Sequence, residues 1–149
     1  MKYDDAAWHY GGDFPKDLPP EAAATHIGMF VVWCWLNGMA GAGILEDTPD
    51  IKHRAALRTA SPGTLFLELC DGKFIEDDLN DEGNAFARDY YDHESIGYRH
   101  KYFTDLENLA PRSIASIYHL PDSWSTFDEV SKVLEKRFKS WRKSRETRK

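Results

Sequence analysis

Two cysteines, Cys34 and Cys70, are all that this 149-residue chain contains. No disulfide framework is implied, and both thiols fall in apolar helical patterns that predict buried free cysteines. No apolar run reaches the roughly 20 residues needed to cross a bilayer. The opening Met1-Lys2-Tyr3-Asp4-Asp5 has none of the apolar character of a secretion signal, so a cytoplasmic protein with no membrane partner is expected. Catalytic signatures are missing as well: Gly-x-Ser-x-Gly, His-Glu-x-x-His and Cys-x-x-Cys do not occur. No segment shows convincing strand alternation, and there is no internal repeat.

What is present is apolar and aromatic. Hydrophobic residues make up 42% of the chain and aromatics 13%, which excludes a disordered segment. The length fits one domain over residues 1–149, long enough to bury roughly two-thirds of the surface of the unfolded chain. The formal charge of −6 is unevenly placed: residues 132–149 carry a net +7 and residues 1–131 a net −13. An acidic body disfavours general nucleic-acid binding and favours a basic protein partner. The basic end, residues 136–149, reads as the solvated and fraying terminus of a helix, where cations complement the dipole.

Residues 27–36 are apolar at every position except Gly28. A helix without a polar face is buried on all sides, so this stretch predicts a central helix. Pro20 suits its first turn and Asn37-Gly38 its end. Before it, two prolines, Gly11-Gly12 and several aromatics predict an irregular N-terminal hook with room for one short turn or strand, held down by Tyr3, Trp8 and Phe14. The fold class expected is mostly α, with the other elements packed around the buried helix.

Small residues 40–43 predict a turn after the central helix. Thr48-Pro49-Asp50 then has the cap, proline and acid of a helix start, with Ile51 and Ala55 as its packing face and an end near Ala60. Ser61-Pro62 repeats the signal for a helix carrying Leu65, Phe66 and Leu69, stopped at Asp71-Gly72. Residues 80–92 predict a helix with Phe86 and Tyr90 one turn apart, and Tyr98, Tyr102 and Leu106 mark another that ends before Pro111. Thr126 and Glu129 fit a capping box. The spacing of Phe127, Val130, Leu134, Phe138 and Trp141 after it gives the cleanest amphipathic helix, expected to lie on the central one.

Three stretches carry candidate chemistry. His9 and His26, with Asp4, Asp5 and Asp13, form a polar set that could converge as a His/carboxylate site, although no ligand spacing fixes it in advance. The alternative is that His26 hydrogen-bonds the hook and Asp4 or Asp5 caps a turn. Residues 78–89 overlay an EF-hand loop at Asp78, Asn80, Glu82 and Gly83, but end on Asp89 where a bidentate Glu belongs, and they read better as a helix cap. Gly38-Met39-Ala40-Gly41-Ala42-Gly43 follows a helix rather than a strand and so lacks the setting of a phosphate-binding turn. No cofactor or resident metal is expected.

Lys2-Tyr3-Asp4-Asp5-Ala6, Trp8-His9, Gly12-Asp13-Phe14-Pro15, Thr25-His26-Ile27-Gly28-Met29-Phe30 with Trp33, and Cys70-Asp71-Gly72-Lys73-Phe74 recur together in a known pattern. With Leu79-Asn80-Asp81-Glu82-Gly83-Asn84-Ala85-Phe86, Pro121-Asp122-Ser123-Trp124, Arg137-Phe138 and Trp141, they resemble a family of small bacterial proteins, DUF7832. The resemblance runs through nearly the whole chain and implies no activity. Small acidic bacterial proteins of this kind are similar in character to immunity proteins that neutralise toxins of interbacterial competition. The function expected is therefore a protein-binding module, an immunity-type inhibitor acting on a toxin. Its contact patch would be Glu76, Asp77, Asp78, Asp81 and Glu82 with Tyr90 and Tyr91. The alternative is a small enzyme or metal-binding protein using Asp4, Asp5, His9, Asp13 and His26.

Overall fold

In the computed structural model, which describes residues 1–10, 14–92 and 101–147, the apolar run is helix α1 (Thr25–Leu36). Residues 25–35 are all buried, and Phe30, Val31, Val32, Cys34 and Trp35 are wholly shielded from solvent. Pro20 opens a 3-10 turn, Pro20–Ala24, that leads into α1 rather than forming its first turn. At the other end Gly38 takes φ +76°, a left-handed conformation that costs glycine no Cβ clash. The Met39 amide thereby bonds back to the Cys34 carbonyl at 2.9 Å, and Asn37 Nδ2 donates to the Trp33 carbonyl at 2.8 Å.

Around α1 stand α2 (Ala42–Asp47), α3 (Ile51–Ala56), α4 (Pro62–Cys70), α5 (Asp81–Tyr90), α6 (Lys101–Leu109) and α7 (Trp124–Thr147). The class is mostly α, as expected. The closest neighbour of α1 is α4, and Gly28 makes that approach possible: a Cβ there would stand 2.8 Å from the Pro62 carbonyl oxygen. Ser61 caps α4 by accepting the Thr64 amide at 3.3 Å, and Asp71 at φ +53° ends it, both as the sequence predicts. Asn80 caps α5 by accepting the Gly83 amide at 2.9 Å. Phe127, Val130 and Leu134 of α7 are buried, and Phe138 meets Trp33 edge-on at 5.6 Å, so α7 lies on α1. The basic end stays helical through Thr147.

Several local expectations are corrected. Residues 42–47 are a helix rather than part of a turn; only Ala40 and Gly41 remain extended, bridging to Leu79 and Asp78. Thr48 is buried and makes no cap; the chain turns at Pro49-Asp50, and α3 begins at Ile51. It stops at Ala56, because Arg58 adopts φ +55° and reaches Asp128 with two hydrogen bonds of 2.7 and 3.2 Å. Ile51 and Ala55 do form its buried face. The cap of α7 is Ser123, which accepts the Thr126 amide, so the Thr126–Glu129 box falls inside the helix. Tyr98 lies outside the described residues; Tyr102 and Leu106 of the same predicted face are buried.

The hook holds both a short strand and a turn. Strand β1 (Lys2–Asp5) pairs antiparallel with β2 (Lys73–Ile75), placing Asp4 opposite Phe74 and Asp5 opposite Lys73. A 3-10 turn, Ala6–His9, follows β1. Tyr3 anchors the strand, buried with its hydroxyl donating to Asn84 Oδ1 at 2.7 Å. Phe14 packs on Tyr118 at 5.1 Å. Trp8, expected to hold the hook down, is instead 53% exposed beneath the Lys2 ammonium. Among the described residues, no helix is long and apolar enough to cross a membrane.

Candidate functional site

Three side chains of the predicted polar set meet where the hook crosses the start of α1. Pairing of β1 with β2 directs Asp4 inward, and the 3-10 turn carries His9 back over it. That turn is fixed by Asp5, whose Oδ1 accepts the Ala7 amide at 3.0 Å, and by the Ala6 amide on the Gly72 carbonyl at 2.9 Å. His26 arrives from the second position of α1. His9 Nε2 lies 2.8 Å from Asp4 Oδ1, and His26 Nε2 lies 3.6 Å from Asp4 Oδ2. The ligand atoms of Asp4, His9 and His26 are all within 4.8 Å of one another. Asp5 serves the cap instead, tied also to Lys2 Nζ at 2.7 Å, and Asp13 lies outside the described residues.

A shell of aromatics closes the cluster. Tyr91 donates its hydroxyl to Asp4 Oδ2 at 2.5 Å, and the Tyr118 hydroxyl stands 2.7 Å from His9 Nδ1. Phe103 packs edge-on against the His26 ring at 5.0 Å, while the Tyr102 hydroxyl donates to the His26 carbonyl at 2.6 Å. Nothing in the local sequence marks Tyr91 or Tyr118, which sit 87 and 109 positions from the residues they touch.

Burial by itself raises the Asp4 carboxyl, but the two imidazoles outweigh it and hold the group well below the usual carboxylate range. Burial pushes His26 down despite the pull of Asp4, so its ring is neutral. Burial and Asp4 together push the Tyr91 hydroxyl far up, which keeps it a donor. With Asp4 ionised and able only to accept, the 2.8 Å contact puts a proton on His9 Nε2. His26 is the exception: both ring nitrogens are buried, Nδ1 has no partner, and Nε2 has only the 3.6 Å contact with Asp4, beyond hydrogen-bond length.

The acidic patch divides in two. Asp77, Asp81 and Glu82 are exposed and Glu76 is half-buried, paired at 3.3 Å with the N-terminal amine. Asp78, Tyr90 and Tyr91 are buried, which removes them from any contact surface. Asp78 turns inward to accept the Ile75 amide at 2.9 Å, and its carbonyl takes the Trp35 indole at 3.0 Å. Tyr90 donates to Asp105 at 2.6 Å. The calcium-type pattern dissolves for the same reason: Asp78 faces the interior, Asn80 caps α5, and Asp89 accepts the Trp141 indole at 2.8 Å.

Burial, helped by neighbouring Asp77, pushes the Asp78 carboxyl up to about 6 against its hydrogen bonds from Ile75 and Cys70. The sign of its effect on stability follows. With a folded value above the ordinary 3.8, the folded chain binds a proton that the unfolded chain does not. The contribution is full below that ordinary value and is lost as pH rises through about 6. Asp78→Asn keeps an oxygen for the Ile75 amide and cannot ionise. It should therefore be more stable than the parent at pH 8 by about 1–3 kcal/mol, with the gap closing toward pH 4. Urea midpoints measured at both ends of that range check this; a gap independent of pH would place Asp78 in solvent. The thiols of Cys34 and Cys70 are both raised by burial, which makes them poor nucleophiles.

A mostly helical chain whose described residues include a small antiparallel sheet, with a largely buried Asp–His–His cluster at their junction, is the class that these observations define. The family described as a domain of unknown function, DUF7832, matches residues 2–120, and the chain belongs to it. The matched segment contains Asp4, His9, His26, Tyr91 and Tyr118 and stops short of α7. No curated protein and no solved structure matches the chain.

Proposed function

We propose that this protein is a binding module without catalysis of its own, an immunity-type inhibitor that neutralises a basic bacterial toxin by direct contact in the cytoplasm. The observation that carries the reading is the exposed acidic edge formed by Asp77 and Asp81, with Glu82 beside them paired to Arg142 at 3.5 Å, on a body of net charge −13 before residue 132. The hook adjoins that edge through the contact of Met1 with Glu76, and it exposes Trp8 and Tyr10 at 53% and 45%. Charged rims steer association and aromatic anchors carry most of the affinity, so a chain exposing both an acidic edge and hook aromatics suits a basic protein surface.

The test is direct binding to a candidate basic toxin chosen from the products of neighbouring genes. Asp77→Lys with Asp81→Lys should lower the association rate about tenfold or more, and binding by the parent should weaken from about 50 to about 300 mM salt. Salt-independent binding that ignores both charge reversals would contradict the acidic-edge reading. Turnover of a small substrate, abolished by His26→Ala in a folded chain, would replace the binding module with an enzyme.

A further inference from the structure

We propose that Asp4, His9 and His26 form a mononuclear site for a divalent first-row transition ion, with zinc the natural occupant to test. Each member carries a ligand atom, a carboxylate oxygen or an imidazole nitrogen, and these atoms all lie within 4.8 Å of one another. Ligands about 2.0–2.1 Å from a tetrahedral zinc stand roughly 3.4 Å apart, and Asp4 Oδ2 to His26 Nε2 is 3.6 Å. The His26 side chain is 1% exposed, yet Nδ1 has no partner and Nε2 only the long contact with Asp4, so neither ring nitrogen is within hydrogen-bond length of a partner. Leaving a buried imidazole without a hydrogen bond costs free energy, and a metal bond at Nε2 offsets that cost.

The surroundings suit ligation. Tyr91 holds Asp4 from outside, and Tyr118 stands at the His9 nitrogen that faces away from the cluster. When Nε2 of His9 binds the ion, the ring proton moves to Nδ1 and is donated to the Tyr118 oxygen, the outer-shell contact that metal-binding imidazoles ordinarily make. A nitrogen-rich set with a single carboxylate selects zinc and its neighbours over magnesium or calcium, which prefer oxygen throughout. Because Asp4 and His9 come from the hook and His26 from α1, the ion would pin the hook to the central helix. This goes beyond the binding reading and does not depend on it.

The test uses the full chain, freed of metal by a chelator and titrated with zinc chloride. One zinc per chain and a higher melting temperature are expected. In the parent protein, the ring signals of His9 and His26 should be the imidazole resonances that move on zinc addition, a readout that needs no variant. Tyr118→Phe should weaken zinc binding about 10-fold, and His26→Ala should abolish the stoichiometric uptake. No uptake by the parent would overturn the site. So would zinc bound with the His9 and His26 resonances unmoved, or with unchanged affinity in a folded His26→Ala chain.

Discussion

Removing residues 137–149 should cost at least about 4 kcal/mol of stability, whereas removing residues 142–149 should leave the chain within about 1 kcal/mol of the parent. The longer deletion takes Phe138, which packs on Trp33 at 5.6 Å and on Phe86 at 5.1 Å. It also takes Trp141, whose ring lies 5.3 Å from Phe86 and whose indole donates to Asp89. Arg137 goes with them, and its guanidinium clamps Asp105 through bonds of 2.8 and 2.7 Å. Asp105 is buried and would keep only Tyr90, although Arg137 is half exposed and solvent screens part of that pair. The shorter deletion gives up an exposed ion pair, Arg142 with Glu82 at 3.5 Å, and cations lying over the Phe138 and Trp141 rings. Urea unfolding of both truncations decides the matter. Equal losses would mean that the basic end itself holds the fold.

The parts of the structure that could be read from the residues are those set by local rules. A run with no polar face had to be interior, and α1 is. Ser61-Pro62, Asn80 and Asp71-Gly72 are starts and stops whose physics lies within a few positions, and each stands where the pattern puts it. The three- and four-residue strands could not be read that way. Tyr3, Asp4 and Asp5 are buried in succession, so β1 shows no period of two, and only its pairing with β2 makes it a strand. Length hid them as much as composition.

The candidate site shows the same division. Asp4, His9 and His26 could be grouped because the hook runs into α1, but their spacing is decided by where β2 fixes β1. Asp78 was indistinguishable from Asp77 as one acid in an acidic run; the fold turns one inward onto the Ile75 amide and leaves the other in water. Tyr91 looked like a surface aromatic at the end of α5, yet it reaches across the core to Asp4. Contacts that span most of the chain leave no trace in local pattern.

The account rests on α1 as the helix around which everything else packs, and Trp33 is its largest test. The side chain is 1% exposed, between Phe86 at 6.1 Å and Phe138 at 5.6 Å. Its indole nitrogen has no hydrogen-bond partner, so the ring contributes through packing alone. Trp33→Phe, which keeps an aromatic ring and removes the unpaired donor, should cost less than about 1.5 kcal/mol. Trp33→Ala empties the site and should cost about 3–5 kcal/mol, much of the roughly 5–15 kcal/mol that holds such a domain together. The deciding measurement is the unfolding free energy of Trp33→Ala in urea. A loss in that range is the predicted result; stability near that of the parent would show that α1 is not the centre of the fold.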